Sequence, residues 1–199
     1  MSHSKTMKTT TRHSGSQAAT LATAFLMAAL ATTAAIPWFD TTLEYRVKAA
    51  FLYNFALFTS WPEAAFEKDD SPIIFGVVGT DPFGTILDKA IEGKTLHGRP
   101  LVIQRYPLVK DIKDCHVLFV SSSQEKAVKE IFKKLVGQHV FTVSDLDGFS
   151  SSGGLARFFI KSGRVSFEIN TDTAARQKLS ISSQLLKLAT LVNDKENDR

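Results

Sequence analysis

Residues 73–82 read IIFGVVGTDP, an apolar run that ends in a polar turn. A continuous apolar run of this length is typical of a β-strand that is buried on both faces, as the strands of parallel sheets are. Asp81 suits the N-cap of a helix and Pro82 suits the first helical position, so we expect a helix over residues 82–91. A buried strand that leads directly into a helix indicates an α/β fold.

The sequence downstream repeats this alternation of strand and helix patterns. Further strands are predicted at 101–106, 117–121 and 140–143, followed by two runs, 155–160 and 165–169, that a turn signal joins into a β-hairpin. Helices are predicted at 124–136, 173–177 and 182–192. We therefore predict a three-layer α/β sandwich with a mixed sheet ending in a β-hairpin.

Upstream, residues 44–62 read EYRVKAAFLYNFALFTSWP and predict one helix with almost no polar face. From position 47 onward its only charged residue is Lys48. Thr41 and Glu44 form a capping-box pattern at its start, and Pro62 marks its end. Because a surface helix keeps a polar face, we expect both sides of this helix to be covered.

Aromatic side chains dominate this helix. Phe51, Phe55 and Phe58 lie on one face at helical spacing, which is typical of core residues. Four residues lie outside this stripe and either cover a loop of the same chain or contact another chain: Tyr45, Leu52, Tyr53 and Trp61. Because aromatic residues are enriched at interface centres, the three aromatic members of this group are candidates for a partner interface.

The N-terminus has the pattern of an export signal. Three basic residues, Lys5, Lys8 and Arg12, precede an apolar run at 18–35 that is rich in Ala and Thr. This pattern, with small residues suited to cleavage, predicts a secretory signal peptide over residues 1–35. An uncleaved membrane anchor is the alternative, because the run is about long enough to span a bilayer.

The remaining chain has the length of one domain, which we place at residues 40–192, followed by a polar tail at 193–199. Loss of the three basic leader residues lowers the formal net charge from +4 to +1, so we expect no nucleic-acid partner. Cys115 is the only cysteine, which excludes an intramolecular disulfide and leaves a buried thiol or an intermolecular bridge.

Small or polar residues follow three of the predicted strands, at the positions where open α/β sheets bind ligands. If these strands are parallel neighbours, their loops meet in one crevice, and the helix after Pro82 points backbone N–H groups into it, which favours an anion. The alternative is that Asp81 and the serines only cap their own helices. The ligand-binding candidates are Gly79, Asp81, Phe83, Gly84, Ser121, Ser122 and Asp145.

Recognisable catalytic patterns are absent from the sequence. It contains no G-x-S-x-G nucleophile motif and no glycine-rich phosphate motif. Cys115 and His116 are neighbours in a predicted strand, so they point to opposite faces and cannot form a catalytic pair. The histidines lack the spacing of metal ligands. We expect no enzymatic activity, no metal and no cofactor; the least favoured alternative is an exported hydrolase that uses Ser121 or Asp145.

Seven segments of the chain, in this order over residues 43–191, resemble the YfiR-like family of periplasmic proteins. The segments are YRVKAAFLYNFALFTSWP, GTDPFG, GKTLHGRPLVI, DCHVLFVSSS, TVSDLDGFSSSGG, RVSFEIN and LSISSQLLKLA. Each motif is weak alone, but all seven in order are specific.

The resemblance implies a Rossmann-like α/β fold, a periplasmic location and no catalytic activity. It further implies a regulator that binds and represses the periplasmic sensor domain of an inner-membrane diguanylate cyclase, which lowers cyclic-di-GMP and biofilm formation. A homodimer and disulfide-linked redox sensitivity are also associated with the family's best-known member. A partner surface outside the first helix would lie on the predicted hairpin and the 145–154 loop, so Phe149 and Arg157 are further interface candidates.

The chain departs from the family at its cysteines. Gly76 stands where some relatives are expected to carry the partner of Cys115, so redox gating by an intramolecular disulfide is excluded. Ala156 and Arg157 stand where a more neutral pair is expected. The alternative function is a periplasmic small-molecule-sensing domain that acts on a sensor histidine kinase or a transporter, and the convergent strand-end loops favour it.

Overall fold

The computed structural model describes residues 41–194, together with Met1. The described residues 41–194 all belong to one compact unit. The predicted signal peptide at 1–35 and the end of the predicted polar tail lie outside the described residues.

Ten strands and five α-helices lie within residues 41–194. The strands are β1 (Thr59–Ser60), β2 (Ile73–Val78), β3 (Thr95–Leu96), β4 (Arg99–Tyr106), β5 (Val117–Val120), β6 (Phe141–Ser144), β7 (Ala156–Lys161), β8 (Arg164–Asn170), β9 (Ser180–Ile181) and β10 (Thr190–Val192). The helices are α1 (Thr41–Leu57), α2 (Thr85–Ile91), α3 (Val128–Lys134), α4 (Thr171–Arg176) and α5 (Ser183–Leu186). Short 3₁₀ helices lie at Glu63–Ala65, Val109–Asp111, Ser122–Ala127 and Ser150–Ser152.

Eight of the strands form one sheet, in the order β10-β8-β7-β6-β5-β2-β4-β3. Five central strands, β4, β2, β5, β6 and β7, run parallel, so their carboxyl ends share one edge of the sheet. β8 returns antiparallel to β7 through a turn at Ser162 and Gly163, both of which have positive φ. β1 and β9 form a separate antiparallel pair. The predicted α/β fold with a mixed sheet and a hairpin is confirmed.

The helix predicted at 182–192 is wrong for most of its length. Only Ser183–Leu186 is helical, and Thr190–Val192 forms β10, which pairs in parallel with Glu168–Asn170 of β8. An edge strand offers unpaired backbone groups, and a short segment with β-branched residues suits pairing with them. The sheet therefore continues one strand beyond the hairpin.

Helices cover both faces of the sheet and bury an apolar cluster on each. On one face, α1 and α2 pack over strand residues that include Phe75 and Phe119. On the other face, α3 packs over Leu118 and Val120. This three-layer arrangement follows from the strand sequences, because successive side chains point to opposite faces and both sets are apolar.

α1 ends earlier than predicted. The Phe58 N–H donates to the Asn54 carbonyl at 2.9 Å, and the chain then leaves the helix as β1, so Trp61 lies beyond the helix. Thr41 is already helical, so the N-cap position lies outside the described residues and the capping box stays a prediction.

The two sides of α1 differ. Phe55 is buried, and its ring stacks on that of Phe141 with centroids 5.1 Å apart. Phe51 and Phe58 of the predicted core stripe are only half-buried. The expectation that both sides are covered is wrong, because Leu57 and other residues of the helix are exposed.

α2 begins at Thr85 rather than at Pro82. The Phe83 N–H donates to Asp81 Oδ1 at 2.7 Å, and Gly84 follows with φ of 51° as the residue before the helix. Asp side chains often make such local turns instead of continuing a helix. Backbone N–H groups of a long helix therefore do not point from Pro82 toward the strand ends.

Candidate functional site

The carboxyl ends of β2, β5 and β6 meet at one edge of the sheet, which we call the carboxyl edge. The Ser121 N–H donates to the Val78 carbonyl at 3.1 Å, and the Ser144 hydroxyl donates to the Val120 carbonyl at 2.7 Å. The loops that follow these strands therefore lie together, as parallel neighbouring strands require.

The loops fill the space at Gly79. The Thr80 N–H donates to Ser123 Oγ at 2.9 Å, which ties the loop after β2 to the loop after β5. Gly79 has φ of 90°, and a Cβ there would lie 2.7 Å from Gln124 Cγ and closer still to Ser123 Oγ. The absence of a side chain at Gly79 therefore allows the two loops to pack closely.

Ser121 and Ser122 begin the 3₁₀ helix that follows β5. Ser121 is buried, and its Oγ accepts the N–H of Ser123 at 3.4 Å. Ser122 is exposed at the surface. Helix capping, the simpler interpretation of these serines, accounts for the contacts of Ser121.

Asp81 is held by Arg105, a residue that the sequence analysis did not single out. Arg105 Nε lies 2.7 Å from Asp81 Oδ2, while Arg105 Nη2 lies 2.7 Å from Asp88 Oδ2 and donates to the Gly84 carbonyl at 2.8 Å. The hydrogen bond from Arg105 holds the pKa of Asp88 below its ordinary value. This cluster links β4 to the start of α2, and the charge of Asp81 is paired with that of Arg105.

Phe83 is a core residue rather than part of the surface. It is buried, and its ring makes edge contacts with Tyr45 at 5.2 Å and with Phe119 at 4.8 Å between centroids. A ligand at the carboxyl edge would not reach it in this packing.

Tyr45, an interface candidate, and Asp145, a ligand-binding candidate, lie together at the end of β6. Lys48 Nζ lies 2.6 Å from Asp145 Oδ2 and 2.5 Å from Glu44 Oε1, and the Tyr45 hydroxyl donates to the same Asp145 oxygen at 2.9 Å. Lys48 is only 3% exposed, with its ammonium 4.6 Å from the centroid of the Tyr45 ring. We call Glu44, Tyr45, Lys48 and Asp145 the Lys48 cluster.

The Lys48 cluster fastens α1 to the carboxyl edge. Burial, and then the charge of Asp145, raise the pKa of Tyr45 well above its ordinary value, so its hydroxyl stays protonated and donates. Asp145 Oδ1 is buried without a hydrogen-bond partner among the described residues. Removing one member of a buried ion pair leaves an uncompensated charge, so the cluster is expected to hold the helix firmly. The sequence signal for this cluster was Lys48, the only charged residue of the helix after position 46.

Arg157 binds within its own hairpin and to the following loop. Its Nε lies 2.9 Å from Glu168 Oε1 and its Nη2 lies 3.1 Å from Glu168 Oε2, while Nη1 lies 2.9 Å from Asp147 Oδ1. The Ser150 hydroxyl also donates to Glu168. The hydrogen bonds from Arg157 in particular hold the pKa of Glu168 below its ordinary value.

Phe149, proposed from the sequence as an interface residue, is only 2% exposed. Its ring packs against that of Phe132 with centroids 5.2 Å apart, and a Cβ at Gly154 would overlap it. The side chain fills the apolar cluster under α3, so a partner cannot contact it in this conformation.

The remaining aromatic candidates lie half-buried at the far end of α1 and just beyond it. Lys94 Nζ lies 4.2 Å from the centroid of the Tyr53 ring. The Trp61 indole N–H donates to the His139 carbonyl at 2.9 Å, and Trp61 shares a hollow of about 230 Å³ with His97 and other residues. Both side chains therefore flank the β3–β4 side of the domain.

A cleft of about 680 Å³ lies at the opposite edge of the sheet, where β2, β5 and β6 begin, which we call the amino edge. Residues 64–67 form one wall, and Gly137 to His139 form another. No sequence pattern indicated this cleft, because the predicted first helix extends to Trp61 and residues 63–72 have no predicted element.

His116 lies in the amino-edge cleft and is almost fully buried. Its Nδ1 accepts the Ile74 N–H at 3.1 Å, so that nitrogen carries no proton, and Nε2 donates to the Ala65 carbonyl at 3.1 Å. The ring stacks on Phe66 at 4.6 Å. Burial lowers the pKa of His116, and the charge of Arg99 adds to the effect.

Cys115, the neighbour of His116, is a buried free thiol. Burial raises its pKa to about 12. Thiolates, not thiols, react, so the side chain is expected to be inert in the folded protein.

The described residues were also compared with the requirements of a metal site and of a membrane-spanning helix. Among residues 41–194, no three His, Cys, Asp or Glu side chains are grouped so that they could hold a metal ion. No helix in this part of the chain has the length and apolar character needed to cross a membrane.

A sequence profile of the YfiR/HmsC-like family matches residues 45–190. The chain belongs to this family. YfiR-like proteins are periplasmic and regulatory rather than catalytic, and they act through contacts with periplasmic protein domains. Membership therefore suggests a periplasmic regulator of cyclic-di-GMP signalling.

Two solved structures are similar to part of the fold. A conserved domain protein from Vibrio cholerae is 12% identical over 61% of this chain and 54% of its own length, with a TM-score of 0.46. The ABC domain from Streptococcus pneumonia, solved in complex with L-Trp, is 12% identical over 60% of this chain and 55% of its own, with a TM-score of 0.45. The YfiR-like chain thus spans about half the length of either protein.

Proposed function

We propose that this YfiR-like protein is a non-enzymatic periplasmic regulator that binds and represses the periplasmic sensor domain of an inner-membrane diguanylate cyclase. The observation that carries the proposal is the family match over residues 45–190. The Lys48 cluster supports it, because Asp145 is held by Lys48 and Tyr45 instead of facing a substrate. A general base would need to reach a substrate proton.

The contact surface that we propose lies around the β3–β4 turn. Tyr53 and Trp61 flank this turn with partly exposed aromatic rings, which suit the centre of a protein interface. Phe149 is left out of the surface because it is buried, and Arg157 because its guanidinium is held by Glu168 and Asp147.

Crosslinking in the periplasm tests this contact directly. The tagged full-length protein, exported by its own leader, should capture a membrane protein that carries a diguanylate cyclase output domain. Tyr53→Ala should reduce the capture several-fold, whereas Leu188→Ala, an exposed apolar residue next to the opposite edge strand β10, should leave it unchanged. Capture of no cyclase by the wild-type protein would refute the proposal.

A sensing domain that acts on a sensor kinase or a transporter is the second candidate, and the amino-edge cleft favours it. A cleft of about 680 Å³ is within the size range of small-molecule sites. A ligand that binds only the folded state raises the melting temperature by mass action. Thermal-shift screening with nucleotides and amino acids checks this function, and unchanged melting at millimolar ligand would argue against it.

A further inference from the structure

The outer side of α3 is rich in lysine. α3 packs on the sheet through the buried Ile131, and Leu135, directly after the helix, is buried as well. Lys129 and Lys133 are four residues apart on the helix, so they share one side, and both are exposed. The buried face thus fixes which way these lysines point.

A neighbouring segment extends this surface. Val109 and Ile112, in and after the 3₁₀ helix Val109–Asp111, belong to the same apolar cluster as the buried face of α3. Lys134 Nζ donates to the Lys110 carbonyl at 3.4 Å, which places Lys110 beside the end of α3. Two separate elements therefore contribute lysines to one surface.

Two apolar residues adjoin these lysines in the chain. Leu108 precedes Lys110 and is 52% exposed, and Val136 follows Lys134 and is 76% exposed. Both side chains leave more than half of their surface exposed. We define the lysine face by the six residues Leu108, Lys110, Lys129, Lys133, Lys134 and Val136.

The lysines of the lysine face are not engaged in ion pairs within residues 41–194. None of its four lysines forms an ion pair with a residue that the structure describes, whereas Lys48, Arg105 and Arg157 all do. Glu130, the one acidic residue of α3, makes no ion pair with them either. With Glu130 and with Asp111, which follows Lys110, the surface still has more positive than negative charges, and exposed apolar side chains adjoin them.

We propose that the lysine face binds an anionic phospholipid membrane. Lysines are attracted to anionic headgroups, and apolar side chains among them can enter the boundary between headgroups and acyl chains. Protein interfaces, by contrast, are enriched in aromatic residues and arginine and depleted in lysine, and the lysine face has neither aromatic residues nor arginine. This membrane contact is independent of the partner in the proposed function and would hold the regulator at the surface where a membrane protein lies.

Vesicle co-sedimentation tests the membrane contact. The protein, recovered from the periplasmic fraction, is mixed with vesicles of phosphatidylcholine alone or with added phosphatidylglycerol. The triple variant Lys110→Gln, Lys133→Gln and Lys134→Gln should lower the fraction bound to the anionic vesicles by about tenfold or more, because each lysine contributes separately. The matched control, with Gln at the exposed Lys89, Lys161 and Lys187, loses the same charge from other elements and should bind as the wild type does.

Three other outcomes of this experiment would refute the membrane contact. Binding that is absent, or equal for neutral and anionic vesicles, would refute it, as would an equal loss in both triple variants, which would indicate net charge alone. If the lysine face captured an acidic protein and the vesicles did not bind, the occupant of this face would be a protein and not a membrane. Circular dichroism spectra identical to that of the wild type check that both variants fold. Failure to capture a cyclase, the test of the proposed function, leaves these vesicle results unaffected.

Discussion

The carboxyl edge and the amino edge of the same sheet differ in how their loops are packed. At the carboxyl edge, where parallel α/β sheets commonly bind ligands, Gly79 lets two loops approach closely and Asp145 is held by Lys48 and Tyr45. At the amino edge, the chain around His116 leaves a cleft of about 680 Å³. The topology of the sheet therefore locates the edge where ligands commonly bind, whereas side-chain packing decides whether that edge is open.

The largest expected effect concerns the Lys48 cluster. Lys48→Met should lower the free energy of unfolding by about 3 kcal/mol, because Glu44 and Asp145 are left close together without a counter-charge. Urea unfolding measures the change, and Lys89→Met, at an exposed lysine of α2, is the matched control with little expected loss. Equal, small losses in both variants would show that the carboxyl edge does not depend on this ion pair.

The next effect concerns the close approach of loops at the carboxyl edge. Gly79→Ala should lower the free energy of unfolding by about 2 kcal/mol, through positive φ and the contact with Ser123 and Gln124. Gly137→Ala at the rim of the amino-edge cleft shares the positive φ but meets nothing within 4 Å, so it should cost about 1 kcal/mol. If the two costs were equal, the carboxyl edge would not be packed as described.

A smaller effect is expected at the amino edge, in the dependence of stability on pH. The folded-state pKa of His116 lies below the unfolded value of 6.5, so the unfolded chain binds the proton more readily. The contribution of His116 is therefore fully present above pH 6.5 and is lost as the pH falls from 6.5 through the folded-state pKa. His116→Asn should flatten this part of the stability profile, and His97→Asn, at an exposed histidine, should retain it. A profile unchanged by His116→Asn would contradict the buried neutral ring.

The smallest effect concerns Cys115, which adjoins the amino-edge cleft yet is buried. Because burial raises the pKa of this thiol to about 12, alkylation by iodoacetamide at neutral pH should be slow in the native protein and fast in denaturant. Mass spectrometry follows the labelling. Rapid labelling of the native protein would indicate that the cleft opens as far as the strand.

The sequence predicted the fold well because its local signals agree with the global arrangement. The apolar run at 73–79 and the hairpin turn around Ser162 and Gly163 both depend on neighbouring residues alone. The predicted helix at 182–192 was wrong because Thr190–Val192 pairs with the edge of β8, a contact that local patterns do not contain.

The candidate site was predicted less well, because its contacts join distant parts of the chain. Lys48 and Asp145 are 97 residues apart, and the sequence analysis named Asp145 and Tyr45 for two different roles. The amino-edge cleft depends on a segment after Trp61 that has no periodic pattern. Phe149 was predicted as an interface residue because it lies in the 145–154 loop, whereas its ring fills the apolar cluster beneath α3.

The level of cyclic-di-GMP in cells tests the regulatory function most directly. Deleting the gene should raise the level several-fold, because the proposed cyclase loses its repressor. Supplying the wild-type protein or Leu188→Ala should restore the original level, and Tyr53→Ala should not. An unchanged level after deletion would contradict repression of a diguanylate cyclase, and full restoration by Tyr53→Ala would contradict the contact surface around the β3–β4 turn.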